Sequence, residues 1–439
     1  MSKTHRRQIG LWSAVALVTG NLVGSGAFML PASLASFGSI SMLSWFFTSA
    51  GAITLAMIFA KLSMRVTKTG GPHVFAREAF GDNVGFFVAW GYWMLTWIGN
   101  AAIVVAMYGY LNMLCDGCFS ALQLFLIGIL VILVISYVNL RGIKEASFVQ
   151  VLTTLLKLVP MVFVPLVALF AFDVQNLTPF VPEGKTALGA FNGAALLTLW
   201  SFVGIESATV PAEEVSDPKK TIPKATLLGT GIAAVVYIIG NFALIGAIPA
   251  DLLAGSTAPY ALAAQLVLGG AFWSKLVALA AIICCIGTLN GWMLVVGQIP
   301  LGAANDGLFP KRFGQTSSDG VPTVGIIVSA LCMIGILLMS FDPELVKQFD
   351  FIAELATTTI LLVFVVMLFS YAALILRESN RSISDRITLL LGAGYTIWTL
   401  WGAGIKMLAL SSIVIISGLP VYFYVRKCFK KNQRLNGVV

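Results

Sequence analysis

Charge and histidine are both scarce in this chain, and their scarcity excludes most function classes. Charged residues fill only 10% of the 439 positions and hydrophobic ones 58%, whereas a soluble domain is roughly a quarter charged. A soluble fold is excluded. The two histidines, His5 and His73, are too few for a histidine-based zinc cluster, and no nucleophile stands in a recognisable triad context. A Gly-x-x-x-x-Gly-Lys-Ser/Thr phosphate loop is also missing, because Gly24-Ser25-Gly26 lacks the lysine. The expectation is therefore no catalytic residue, no metal and no cofactor. Among the six cysteines, Cys284, Cys285 and Cys332 lie in apolar runs, where cysteine acts as a small hydrophobe, and Cys428 lies in a basic segment. Cys115-Asp116-Gly117-Cys118 fits either a disulfide in an oxidising compartment or two unpaired thiols.

What the chain has in abundance is long hydrophobic runs. A spanning helix needs about 20 apolar residues, and on that ruler twelve spans begin near Leu11, Ser41, Asn83, Leu122, Phe148, Phe191, Thr226, Phe272, Thr323, Ile352, Ile387 and Ala409. The runs are continuous rather than alternating, which excludes an outer-membrane barrel. With the tails and even-numbered loops on one side, 22 of the 27 Lys and Arg residues fall there. Lys185, Lys275, Lys347 and Lys406 fall on the other side, and Lys157 lies within a span. The positive-inside rule then places both termini in the cytoplasm. The net charge of +8 is thus a topology signal, not a nucleic-acid footprint. Met1 to Arg7 is short and basic without a following Ala-x-Ala pattern, so the first helix reads as retained. The connections from Asp173 to Gly189 and Pro249 to Gly270 have room only for small surface helices. Asp217-Pro218 marks a turn in a cytoplasmic loop.

Two of the runs are interrupted, at Gly20 to Phe28 and at Trp200 to Ala208. Unwound backbone at membrane depth is tolerated only against protein, water or ligand, and paired interrupted spans point to a transporter's binding site. A first helix broken at Gly24 to Gly26 presents N–H groups and a positive dipole end to a substrate carboxylate. The free carbonyls around Ser201 to Gly204 complement an α-ammonium, with Ser201, Val203 and Ile205 as contact positions. Together the two breaks fit the head group of an amino acid. Tyr92, Thr96 and Asn100 recur every four residues on one face of the third span, and Trp200 and Trp292 can stack on a cationic side chain. Glu206 and Lys157 are ionisable groups at membrane depth and so functional candidates by default.

The segments Gly20 to Pro31, Gly70-Gly71-Pro72, Trp97 to Asn100, Leu199 to Ala208, Asp217 to Pro223, Gly291-Trp292 to Gln298 and Ala304 to Pro310 closely resemble the basic amino acid/polyamine antiporters of the amino acid–polyamine–organocation superfamily. The resemblance runs through nearly the whole chain. It implies the leucine-transporter fold: an all-α membrane protein of 12 transmembrane helices with a 5+5 inverted repeat, commonly a homodimer. The corresponding organisation is a tail over 1–10, a ten-helix transport core over 11–376, two peripheral helices over 377–425 and a basic tail over 426–439. It also implies that Asn21, Ser25 and Gly26 contact the substrate backbone and Asn100 its side-chain end. Trp200 and Trp292 become gate and stacking surface, Glu206 the proton-sensing group, and Thr96 and Thr359 pocket-lining residues.

Two departures from the family stand out. Val366-Met367 replaces the family's Pro-Tyr in the tenth span, whose Tyr is expected to close an outer gate beside Tyr92. Lys157 looks like the fifth-span lysine of proton-coupled relatives, and a fixed cation there disfavours doubly charged substrates. In the transporter fold that the resemblance implies, an ammonium at Lys157 is expected between the fifth span and the broken first span, within reach of carbonyls near Gly20 to Val23 and of Thr288. The expected function is a bacterial inner-membrane antiporter exchanging a cationic amino acid for its amine or for another amino acid. The alternative is a proton-coupled neutral amino acid permease. No ring of like charges supports a channel.

Overall fold

The computed structural model describes residues 9–68, 70–141, 157, 159–210, 212, 215–318, 320–339, 344–378 and 382–435. The expected start of the fifth span near Phe148 lies outside the described residues. Within them every regular element is a helix, and the only β-type pairing is an isolated bridge between Ile9 and Val215.

In chain order the α-helices are α1 Leu11–Leu22, α2 Ser25–Ala35, α3 Ser41–Arg65, α4 Pro72–Phe80, α5 Asp82–Leu114 and α6 Ala121–Arg141. Next come α7 Val159–Ala171, α8 Ala187–Trp200, α9 Pro218–Ala247, α10 Ala250–Ala254 and α11 Pro259–Leu268. The last five are α12 Ala271–Asn305, α13 Thr323–Met339, α14 Leu345–Leu376, α15 Ile383–Ile416 and α16 Leu419–Leu435. Among the described residues, seven helical stretches are long and apolar enough to cross a membrane, and five shorter apolar helices accompany them.

Apolar residues surround most of these helices instead of forming one stripe, which is the pattern of helices buried in protein or lipid. Burial separates the two cases. Along α5, 89% of the apolar window is buried, against 11% over Ile383–Cys428, so α5 is central and α15 and α16 are peripheral. α5 packs along α12 and α14, and α9 packs along α1 and α3. α15 is tied to α3 by Lys61 Nζ, 2.7 Å from Asp385 Oδ1, and by Arg65, 3.3 Å from Asp385 Oδ2.

Local signals act as expected at several boundaries. Asp217 adopts a left-handed conformation (φ 45°) and α9 starts at the next residue, Pro218, whose missing N–H costs nothing at a first helical position. The connection after Asp173 holds a short 3₁₀ turn over Val174–Leu177, and the one after Pro249 holds α10 and α11. Cys115 and Cys118 are joined in a disulfide just beyond α5, which resolves the two readings left open above.

The last span departs from expectation. No helix starts near Ala409: α15 continues through it to Ile416, bent at Gly404 (φ 75°), and α16 starts only at Leu419. Apolar residues on both sides of the true turn at Ser417-Gly418 conceal it. α16 is also helical through Arg426 to Leu435, so the segment expected as a basic tail is largely the end of that helix.

Candidate functional site

The first span is broken at Val23 and Gly24, starting one residue before the expected Gly24 to Gly26 and ending two residues sooner. α1 ends at Leu22, Val23 is extended and Gly24 is non-helical, while Gly26 already lies in the first turn of α2. Ser25 opens α2, and its side chain lies outside the described residues. A break frees carbonyls that lipid cannot satisfy, and here Lys157, α9 and α12 supply the donors. Lys157 Nζ donates to Gly20 O (2.6 Å) and Val23 O (3.0 Å). Trp292 Nε1 on α12 donates to Asn21 O (3.3 Å), and Tyr237 Oη on α9 donates to Leu22 O (2.5 Å). All four carbonyls from Gly20 to Val23 are thereby bonded. Thr288, considered above as a further partner of Lys157, donates instead to Cys284 O (2.9 Å) and turns its methyl group toward Gly24.

The second break follows α8. From Ser201 to Val210 the backbone turns by i to i+3 bonds, among them Val203 N to Trp200 O and Thr209 N to Glu206 O (2.8 Å). Gly204 reverses the chain at φ 116°, a conformation open to glycine almost alone. Its bare Cα also lets Trp292 approach, since a Cβ there would meet Trp292 Cζ2 at 3.1 Å.

Between the two breaks lies a cavity of about 20 Å³. It brings together Asn21, Gly26, Thr96, Asn100, Trp200, Ser201, Val203 and Trp292 from the expected set, and adds Leu22, Gly24, Leu95, Gly99, Ile103 and Thr288. Both polar atoms of the Asn21 amide and Nδ2 of Asn100 are buried there without a hydrogen-bond partner among the described residues, an unusual condition for buried polar groups. Thr96 Oγ1 is engaged with Trp93 O (2.6 Å). Among the described residues, no charged side chain lines the cavity.

Ile205 is buried but not in the lining. Thr359 is buried and donates back to Leu355 O (2.7 Å) in its own helix, also away from the lining. Glu206 is fully buried, with Oε1 accepting from Tyr92 Oη at 2.8 Å and Oε2 without a partner among the described residues.

The expectation of an outer gate beside Tyr92 is not supported by this placement. Tyr92 lies nearer the Asp82 end of α5, and a Cβ on Gly71 of the α3–α4 connection would lie 4.0 Å from its Cε1. That connection is flanked by Lys61, Arg65 and Arg77, so Tyr92 sits toward the positively charged end of α5 and not the end expected of an outer gate. Periodicity fixed the shared face of Tyr92, Thr96 and Asn100 but not which end of α5 each sits nearer. Met367 is buried in α14.

The same side carries a charged cluster that the sequence reading passed over. Gly70 N donates to Val210 O (3.1 Å), joining the Gly70-Gly71-Pro72 turn to the second break. His73, fully buried at the start of α4, has Nε2 3.4 Å from Asp306 Oδ2, and Arg77 Nη1 lies 2.8 Å from Asp306 Oδ1. His73, and then the Arg77 guanidinium, hold the Asp306 carboxyl below the usual carboxylate range against the opposing effect of burial. Gly70-Gly71-Pro72 and Asn305-Asp306-Gly307 were both visible as motifs, but nothing in their spacing showed that they meet.

Long apolar helices packed around two unwound segments, with a small cavity of mixed polar and apolar lining between them, are the architecture of a membrane transport protein. The amino acid permease family model matches residues 9–427, and the chain belongs to that family. It is 34% identical to the cadaverine/lysine antiporter of Escherichia coli (strain K12) over 436 residues, covering 97% of this chain and 96% of the relative. It is 29% identical to the putrescine transporter PotE of the same organism over 441 residues, covering 99% and 100%. The Haemophilus influenzae putrescine transporter PotE is 30% identical over 422 residues, covering 95% and 97%.

Proposed function

We propose that this protein is an antiporter of a bacterial inner membrane that exchanges a cationic amino acid for its amine or for another amino acid. The observation that carries the reading is the cavity between the two breaks, where both polar atoms of the Asn21 amide and Nδ2 of Asn100 are buried without a hydrogen-bond partner among the described residues. A substrate can satisfy them. Its carboxylate meets the N–H groups that open α2, its ammonium the turn around Ser201 to Gly204, and its side chain points to Asn100 between Trp200 and Trp292. The relatives' cadaverine, lysine and putrescine are of the matching chemical class.

In this reading, twelve spans form a 5+5 inverted repeat over 11–376 with two peripheral helices behind it. Both termini are cytoplasmic, and the exposed outer faces of the last two helices suit lipid or a second copy of the chain. Glu206, bonded to Tyr92 below the cavity, is the proton-responsive group. The test is exchange in proteoliposomes. External L-lysine should release internal labelled cadaverine or lysine, and release without external substrate would overturn the antiport assignment.

The bonds from Lys157 to Gly20 and Val23 favour a second reading, proton-coupled uptake of neutral amino acids, because loss of the lysine proton would loosen the first break. Lys157→Ala is expected to abolish nearly all transport with normal expression, and Lys157→Arg, which cannot deprotonate, to hold one conformation. Uptake driven by an imposed proton gradient without internal substrate would select this second reading. Near-normal transport by Lys157→Ala would remove Lys157 from the mechanism.

A further inference from the structure

The Trp200 indole lies lengthwise between two glycines. A Cβ on Gly26 of α2 would approach its Cδ1 to 3.1 Å, and a Cβ on Gly99 of α5 would approach Cη2 to 2.6 Å and Cζ3 to 3.0 Å. Since carbon atoms pack at about 3.5–4.0 Å, any side chain at position 99 would push the ring away by about 1 Å. Gly99 adjoins Asn100 and is one helical turn from Thr96, both of which line the cavity. The six-membered ring therefore occupies the end of the pocket where Asn100 is read as meeting the substrate side chain. The remaining 20 Å³ is room for one or two waters, at about 10–15 Å³ each.

We propose that Gly99 and Gly26 form a seat in which the Trp200 indole fills the substrate's own side-chain space, so that indole and substrate compete. The inference rests on the cavity being the substrate site. A cationic side chain enters beside Asn100 only as the ring lifts from Gly99. Apparent affinity is then lowered by the fraction of molecules in which the ring is seated. Gly99 is in this sense a positioning residue, acting on substrate through Trp200.

The test uses the full chain, purified and labelled with 5-fluorotryptophan. The ¹⁹F line missing from Trp200→Phe identifies Trp200. In substrate-free protein, Gly99→Ala should shift or broaden that line while the others stay in place, and an unchanged line would overturn the seat. L-lysine, as probe, should move the wild-type line and should bind Gly99→Ala more tightly, by up to about tenfold if nine-tenths of wild-type molecules are seated. Weaker binding would make the indole a lid over substrate and overturn the competition. Trp200→Phe, which lacks the ring edge that touches Gly99, should gain affinity similarly, and adding Gly99→Ala to it should change little. This second variant decides the question if Gly99→Ala misfolds. Failure of wild-type protein to bind L-lysine or cadaverine would sink the functional reading, while the substrate-free spectrum would still decide the seat.

Discussion

Glu206 shows how far a single residue could be read in advance. A carboxyl inside an apolar run is costly enough to be functional by default, and in the structure it accepts a hydrogen bond from Tyr92 Oη at 2.8 Å. If it is the proton-responsive group, Glu206→Gln should retain substrate binding but flatten the acid dependence of exchange, because an amide does not titrate. Exchange measured from pH 5 to 8 checks this, and a wild-type profile in the variant would remove Glu206 from the role. Asn21, Asn100, Trp200, Trp292 and Lys157 were legible for the same reason: each is a polar or oversized residue beside a break or within an apolar span. Leu95, Gly99 and Ile103 were not. An aliphatic residue or glycine on a membrane helix looks the same whether it faces lipid, another helix or a cavity, and only the packed structure separates those cases.

At the scale of elements, the broken first span stays intact through donors far away in the sequence. Tyr237 bonds Leu22 O across 215 positions. Nothing in the α9 sequence distinguished this tyrosine from one at a membrane interface, because a hydrogen bond to another helix leaves no periodic trace. Tyr237→Phe keeps the ring and deletes the donor, leaving a buried carbonyl unpaired. The expected loss is about 1–3 kcal/mol of stability, read by unfolding purified protein in mixed micelles, and unchanged stability would mean that the carbonyl finds another donor.

The cluster joining α4 to the end of α12 makes a prediction of a different kind. His73 and Arg77 lower the Asp306 pKa in the folded protein. A lowered carboxylate pKa stabilises fully above the unfolded value of about 3.9 and is lost as pH falls through the folded value. The stability difference between wild type and Asp306→Asn should therefore be present at neutral pH and shrink toward zero as pH drops below about 4. A difference that does not shrink at all as pH falls below about 4 would show that Asp306 acts through packing or neutral hydrogen bonds.

At the scale of the whole molecule, the all-helical membrane class followed from run length, because lipid permits so few backbone solutions. The last turn escaped notice because Ser417-Gly418 sits among apolar residues, and α15 bends at Gly404 without ending. Sidedness rests on the distribution of Lys and Arg, and the chain carries its own reporter for it. Of the free cysteines, Cys284 and Cys285 are buried and Cys428 is exposed near the end of α16, while Cys115 and Cys118 are paired. If both termini are cytoplasmic, a membrane-impermeant maleimide should leave Cys428 unmodified in intact spheroplasts and modify it after permeabilisation. Glu183→Cys, introduced into the connection between α7 and α8, should behave in the opposite way and react from outside. Labelling of Cys428 in sealed cells would invert the topology and turn Tyr92, Glu206 and the Asp306 cluster to the outer face. Proton sensing would then have to be reassigned from the cytoplasm to the exterior.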